Sequence, residues 1–251
     1  MRPAIVKRLL EIQRVLVRHG LDEIILATHL FRPMRFAFYL SPATWTYRER
    51  RGTRAERLRL ALEALGPIFM KFGQTLSTRR DLLPRDVADE LEKLQDRVPP
   101  FPGAEARAIV ERAYEAPLDQ VFARFDETPL AAATIAQVHT AQLKDGKEVV
   151  VKIVRPGIRA RIRRDIDVMY ALAALAHRYW PEAKRLRPIE LVREYEKTIF
   201  DELDLMREAA NAAQLRRNFA GSRLLYVPEV YWDYCRRNVM VMERIHGVPI
   251  S

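Results

Sequence analysis

The chain has 251 residues, 49% of them hydrophobic, and 43 Lys and Arg against 33 Asp and Glu give a formal charge of +10. That composition buries a core and excludes an intrinsically disordered chain, while the single cysteine, Cys235, excludes an internal disulfide and a cysteine-held zinc. The longest apolar run, Val168 to Ala176, falls short of the roughly 18 residues that a membrane-spanning helix needs, and charges interrupt the apolar stretches before Leu30, against a signal peptide.

Residues 1–57 hold twelve Lys and Arg but five Asp and Glu, so the excess positive charge gathers at the start. Ile5, Leu9, Ile12 and Leu16 mark one helix face there, Lys7, Arg8, Arg14 and Arg18 surround it, and Gly20 supplies a stop. Such a helix either docks on the protein's own core or lies on an anionic bilayer, where each cation contributes about 1 kcal/mol. Nucleic acid is not expected as a partner, because no recognisable nucleic-acid module accompanies the charge. Residues 31–52, with Pro33, Pro42 and the run Arg48 to Arg51, read as a connector.

A capping box of Thr53 and Glu56 opens a helix over Leu58, Leu62 and Leu65, which Gly66-Pro67 ends. Pro67 then starts a second helix, with Ile68, Phe72 and Leu76 on one stripe. Further helices are expected over 86–96, stopped by Val98-Pro99-Pro100, and over 104–114 and 118–125, so the first half reads as all helical. From Thr128-Pro129 the chain turns rich in Ala, Val and Ile. Strands are expected over 135–143 and 148–154, joined by the hairpin signal Asp145-Gly146. Helices follow over 158–179 and, without a break, over 190–219, before a second strand pair, 229–232 and 239–242. The fold class predicted is α+β: a small antiparallel sheet against one long helix, behind a helical extension. The expected divisions are 1–52 (basic helices and connector), 53–127 (helical extension) and 128–251 (the α+β lobe).

Lys152 stands inside the apolar strand Val149 to Val154. Desolvating an ammonium is costly, so a lysine there either reaches water at a strand edge or serves a site. A phosphate-holding strand lysine of the protein-kinase kind needs a glutamate on a neighbouring helix, and 201–208 offers several acids. On a helix, Asp204, Glu208 and Asn211 share one face, and Ala209, Ala210, Ala212 and Ala213 would let that helix approach a sheet closely. No glycine-rich loop precedes the lysine. Pro129 to His139 stands in its place, an alanine-rich turn entering a strand, whose backbone N–H groups can face phosphate. His139 is read as a packed structural residue. Lys71 and Gln74 project together from one helix face, and Gly73 between them costs about 1 kcal/mol relative to Ala, tolerable if another element packs against it.

Together these segments resemble the UbiB family of atypical protein-kinase-like proteins, linked to ubiquinone biosynthesis. Lys71-Phe72-Gly73-Gln74 resembles its KxGQ motif, and Ala131-Ala132-Ala133-Thr134 its alanine-rich loop, with Thr134 where Ser is common. Glu202-Leu203-Asp204 resembles its ExD motif, and Lys152 and Glu208 its strand lysine and helix glutamate. Gln74 to Leu82 and Val241 to Gly247 are also similar to bacterial members. The resemblance implies the N-terminal lobe of a protein-kinase-like fold, with the KxGQ helix lying where an ordinary kinase admits a protein substrate. It implies ATP binding with Mg²⁺, and ATPase or unorthodox kinase activity supporting ubiquinone biosynthesis at the cytoplasmic face of the inner membrane.

By the same resemblance the catalytic candidates are Lys152, Glu208, Lys71, Gln74, Glu202 and Asp204. The nucleotide is expected to meet Ala131, Ala132, Ala133, Thr134, Lys152 and Glu243, the last through backbone groups of a hinge over 243–247. No residue is assigned as a metal ligand. Lys71 is expected to reach toward Glu202 and Asp204, because two neighbouring carboxylates attract a second cation. The implied partners are an adenine nucleotide, ubiquinone-biosynthesis proteins or isoprenoid lipid precursors, and an anionic membrane surface. No kinase-like catalytic loop or metal-holding triplet follows Lys152, so the chain is expected to be a fragment without the catalytic second lobe. The alternative is a non-catalytic accessory that binds isoprenoid lipid or organises a biosynthetic complex at the membrane.

Overall fold

A computed structural model describes residues 3–21, 52–81, 83–94, 99–179 and 185–247; the expected connector, Gly52 apart, lies outside them. The elements in chain order are α1 (Pro3–Arg18), α2 (Arg54–Leu65), α3 (Pro67–Ser77), α4 (Arg85–Glu92), α5 (Gly103–Tyr114), α6 (Leu118–Val121) and β1 (Phe122–Ala132). There follow β2 (Ala136–Leu143), β3 (Glu148–Val154), α7 (Ile158–Tyr179), α8 (Pro188–Asp201), α9 (Leu205–Asn218), a 3-10 turn (Trp232–Tyr234) and β4 (Val239–Glu243). They form two compact units that interleave along the chain: Met1–Asp96 with Ala160–Lys197, and Arg97–Arg159 with Thr198–Ser251.

In the first unit the capping box forms as the sequence predicts. The Thr53 hydroxyl accepts from the Glu56 N–H at 3.2 Å, and the Glu56 carboxylate accepts from the Thr53 N–H at 2.7 Å. Gly66, at φ +102°, turns the chain into Pro67, the first residue of α3. A Cβ at Gly73 would come within 2.5 Å of Leu94 and 2.8 Å of Leu62, so the glycine lets α3 pack closely against α2 and the segment that follows α4. α1 packs on α2 with Leu9 and Ile12 buried. Of the two readings of its apolar stripe, docking on the protein's own core is the one the structure shows. α4 ends at Glu92, short of the predicted 96. The N–H groups of Lys93 and Leu94 fall back to the carbonyls of Glu90 and Leu91, a tightened last turn that stops the helix before the prolines.

The second unit is built on an antiparallel sheet in the order β1-β2-β3-β4. Gly146, at φ +88°, makes the β2–β3 turn that Asp145-Gly146 predicts. One face of the sheet carries Val149, Val151, Ile153, Val239 and Val241, all fully buried beneath Ala106, Ile109 and Val110 of α5. The fold class is the α+β arrangement expected, and α7 has the predicted bounds. Three boundaries differ. The helix expected over 118–125 stops at Val121 and gives way to β1, so the first half is not all helical. β1 is an edge strand with register shifts on either side of Pro129, and its burial does not alternate, which hides it from a period-two reading. The helix expected over 190–219 is two helices, parted at Glu202 to Asp204. The second predicted strand pair reduces to a single bridge, Val230 with Met242, because 232–234 coils into a 3-10 turn; the ladder partner of β4 is β3.

Candidate functional site

Successive strand residues point to opposite faces, so Val150, Lys152 and Val154 lie on the side of β3 away from α5. Directly paired residues share a face, and the register therefore draws two rows across this side: Ala131, Val138, Lys152, Met240, and Thr140, Val150, Met242. α9 covers one end of it. Leu205 and Ala209 are fully buried against Met240, with Ala212 packed beside them, so the small residues bring the helix down onto the sheet. Ala210 stays exposed and takes no part.

That approach sets the central contact. The Lys152 ammonium donates to both carboxylate oxygens of Glu208, at 2.5 Å and 2.7 Å, and the two side chains are 24% and 39% exposed. The pair is half-buried: protein on one side, solvent on the other. The strand lysine thus reaches neither a bare edge nor a dry interior.

The remaining predicted residues are placed differently. Asp204 is the N-cap of α9, its carboxylate accepting from the Met206 N–H at 3.2 Å, so it stands outside the helix rather than on one face with Glu208 and Asn211. An N-cap needs extended backbone, and that requirement breaks the single helix expected there. Glu202 lies in the turn before it. Thr198, Asp201, Glu202, Arg207, Glu208 and Asn211 line an open cavity of about 360 Å³, across which Arg207 pairs with Asp201 at 2.5 Å.

Ala131 and Ala132 belong to β1, paired with Val138 and Gln137; only Ala133, Thr134 and Ile135 form the turn, with Thr134 buried. Sequence reasoning missed the residue that holds this turn. Arg155, just past β3, donates from Nε to the Ala133 carbonyl at 2.8 Å and from its terminal nitrogen to the Pro99 carbonyl at 2.8 Å. Its backbone N–H donates to the Ile135 carbonyl at 2.9 Å, and its guanidinium lies 5.5 Å from the Phe101 ring centroid. A lone arginine before Pro156-Gly157 gives no sequence signal that separates a brace from a solvated cation.

Glu243 pairs with Val149 and so shares the α5 side of the sheet, opposite Lys152. Its carboxylate accepts from the Tyr226 hydroxyl at 2.7 Å and from the Glu229 N–H at 3.1 Å, contacts that hold its pKa below the usual range. Its side chain therefore takes no part on the lysine side. Lys71 and Gln74 sit on α3 in the first unit, where the Gln74 amide donates to the Leu94 carbonyl at 2.8 Å. Among the described residues no group of three or more His, Cys, Asp or Glu is placed to hold a metal ion.

His139 is a packed structural residue, as the sequence suggests. Gln137 accepts the Phe101 N–H at 2.9 Å through Oε1, which leaves its amide nitrogen to donate to the Phe101 carbonyl and to His139 Nε2 at 2.9 Å. His139 then carries its proton on Nδ1 and donates it to the Asp126 carbonyl at 2.8 Å.

Residues 93–251 match the ABC1 atypical kinase-like domain. The chain is 58% identical over 248 residues to the "Probable protein kinase UbiB" of Azotobacter vinelandii and 57% identical over 249 residues to that of Pseudomonas aeruginosa. Each match takes in 98% of this chain and 46% of the relative, so the chain spans about half the length of the curated relatives it matches. Among solved structures it is similar to Mycobacterium tuberculosis Rv3197, determined in complex with erythromycin. That match has a TM-score of 0.53 and 30% identity, and covers 78% of this chain and 49% of that one. With a kinase-like sheet, a strand lysine joined to a helix glutamate and these relatives, the chain belongs to the ABC1 atypical kinase-like family and is of UbiB type.

Proposed function

We propose that this chain carries the ATP-binding part of a UbiB-type ATPase or unorthodox kinase that supports ubiquinone biosynthesis. The observation that carries the reading is the Lys152–Glu208 pair on the open side of the sheet. An ammonium has three N–H groups and Glu208 takes two, leaving one to meet a phosphate oxygen from a fixed position. Half-buried Val138 and Val150, in the two rows beside the lysine, give an apolar floor for a base. The residues present therefore fit a purine nucleotide. When bound, ATP supplies the transferable phosphoryl group and Mg²⁺ offsets its charge; we assign the metal no ligand set in this chain. Titration of the chain with MgATP tests the reading: Lys152→Ala is expected to weaken binding more than about tenfold, about 1.4 kcal/mol. Equal affinity of the variant and the unaltered chain overturns it.

We further propose peripheral contact with anionic lipid at the cytoplasmic face of the inner membrane, where ubiquinone-biosynthesis proteins or isoprenoid precursors would be met. No helix among the described residues is long and apolar enough to cross a membrane. With Leu9 and Ile12 buried, the attraction proposed is electrostatic, through exposed Lys7, Arg14 and Arg18. Cosedimentation with anionic vesicles should fall as salt rises, and equal binding to neutral vesicles overturns it. Vesicle binding without nucleotide binding would favour the accessory that binds isoprenoid lipid.

A further inference from the structure

The turn from β1 to β2 occupies the place a glycine-rich loop would take, yet Ala133, Thr134 and Ile135 all carry a Cβ and none has a positive φ. Its shape is fixed by bonds from elsewhere. The Ala133 N–H closes on the Ala136 carbonyl at 2.9 Å, while the Ala133 and Ile135 carbonyls both accept from Arg155. The other arm of the guanidinium reaches Pro99 and its cation lies over the Phe101 ring, so one side chain ties the turn to the segment that leads into α5. Arg155 lies just past the end of β3, and its guanidinium sits over Phe101, a member of the buried cluster on the α5 side, so it is on the opposite side of the sheet from Lys152. It acts through the turn, whose flanking residues Ala131 and Val138 stand in the Lys152 row, Ala131 two strand spacings or about 10 Å away.

We propose that Arg155 is a positioning residue for the nucleotide site, holding the Ala133–Ile135 turn in one conformation and so setting how the site discriminates a triphosphate from a diphosphate. The proposal rests on the nucleotide reading above. It assigns to a distant arginine the control that glycine-rich loops leave to backbone freedom. A guanidinium is suited to this because its rigid planar fork sends Nε and a terminal nitrogen to two separate carbonyls in a fixed geometry while its cation lies over a ring.

The test uses the whole 251-residue chain with Arg155→Ala and Arg155→Lys, the latter keeping the charge and the apolar stem. In the nucleotide-free protein, exchange of the Ala133 amide should speed up about tenfold in Arg155→Ala, as expected for losing one or two net hydrogen bonds, and by less in Arg155→Lys. Amides in the middle of β3 should keep their protection, which shows that the sheet remains folded. Titration with MgATP and MgADP should then show the ratio of the two affinities shifted at least threefold in Arg155→Ala, a change that a purely structural brace would not produce. Unchanged protection at Ala133, or an unchanged ratio, overturns the role of Arg155 while leaving the nucleotide reading intact. Absence of binding of either nucleotide to the unaltered chain overturns the nucleotide reading and this role with it.

Discussion

Val151 and Lys152 are neighbours in sequence and face opposite environments. On the side of Val151 the sheet is sealed: Val149, Val151 and Ile153 are fully buried between β4 and α5. On the side of Lys152, Val150, Lys152 and Val154 are half-buried, α9 covers one end only, and an ion pair spans the gap between helix and strand. The difference separates two tasks within one seven-residue strand. The sealed side contributes packing, where each lost methylene leaves a void. The open side gives up burial to present a charge, and its alanine-lined helix fixes where that charge sits. Substitutions on the two sides should therefore differ in kind as well as size.

The largest expected effect is on the sealed side. Ile153→Ala should cost about 2–5 kcal/mol, because the residue is fully enclosed and its neighbours are fixed in β-ladders. Since the chain has two compact units, amide exchange of β2 and β3 measures this better than a single melting curve. On the open side, Lys152→Met should cost about 1–2 kcal/mol, between the values for exposed and for buried pairs, and should weaken the MgATP binding proposed for this side. A double-mutant cycle with Glu208→Gln isolates the pair. If Lys152→Met destabilises the sheet as much as Ile153→Ala, the separation of the two sides is wrong.

The same contrast explains what could be read in advance. Lys152 was conspicuous as the one charge in an apolar run, and Glu208 because four alanines surround it. Both signals are local and both residues meet. The turns encoded by local chemistry, Thr53 with Glu56 and Asp145-Gly146, form as written. Three features were not legible. β1 is kinked at an edge, so its sequence lacks alternation. The break at Asp204 lies between two amphipathic helices, and an N-cap aspartate leaves no mark on their periodicity. Arg155 braces residues more than twenty positions away, and no spacing rule reports that.

His139 sharpens the comparison from the sealed side, since it pairs with Val151 and shares its face. Burial pushes its pKa below the ordinary 6.5, against smaller opposing effects of Asp126 and Glu127. The folded protein holds it neutral while the unfolded chain takes up a proton below 6.5, so the unfolded state binds more protons there. Stability is then fully present above pH 6.5 and is lost as pH falls below it, down to the pKa of the folded state. The loss between pH 7 and pH 5 should be smaller in His139→Gln, measured by denaturant unfolding of the sheet unit. Identical pH slopes in both proteins would remove His139 as its source.

The smallest expected effect concerns the two turns that flank β2. In the Asp145-Gly146 turn a glycine supplies the left-handed backbone, and the information is local. In the Ala133–Ile135 turn no residue needs that freedom, and the shape comes from Arg155. Ala133→Gly should therefore cost only about 0.4–1 kcal/mol, through the added entropy of the unfolded chain, because the Ala133 carbonyl keeps its bond to the guanidinium. The ratio of MgATP to MgADP affinity should move less than in Arg155→Ala. Combining the two changes should move it more than the sum of the separate effects, since the glycine's freedom is expressed only once the brace is gone. If Ala133→Gly alone shifts the ratio as far as Arg155→Ala does, the methyl groups of the turn, and not the arginine, hold its geometry, and this turn is as locally encoded as the other.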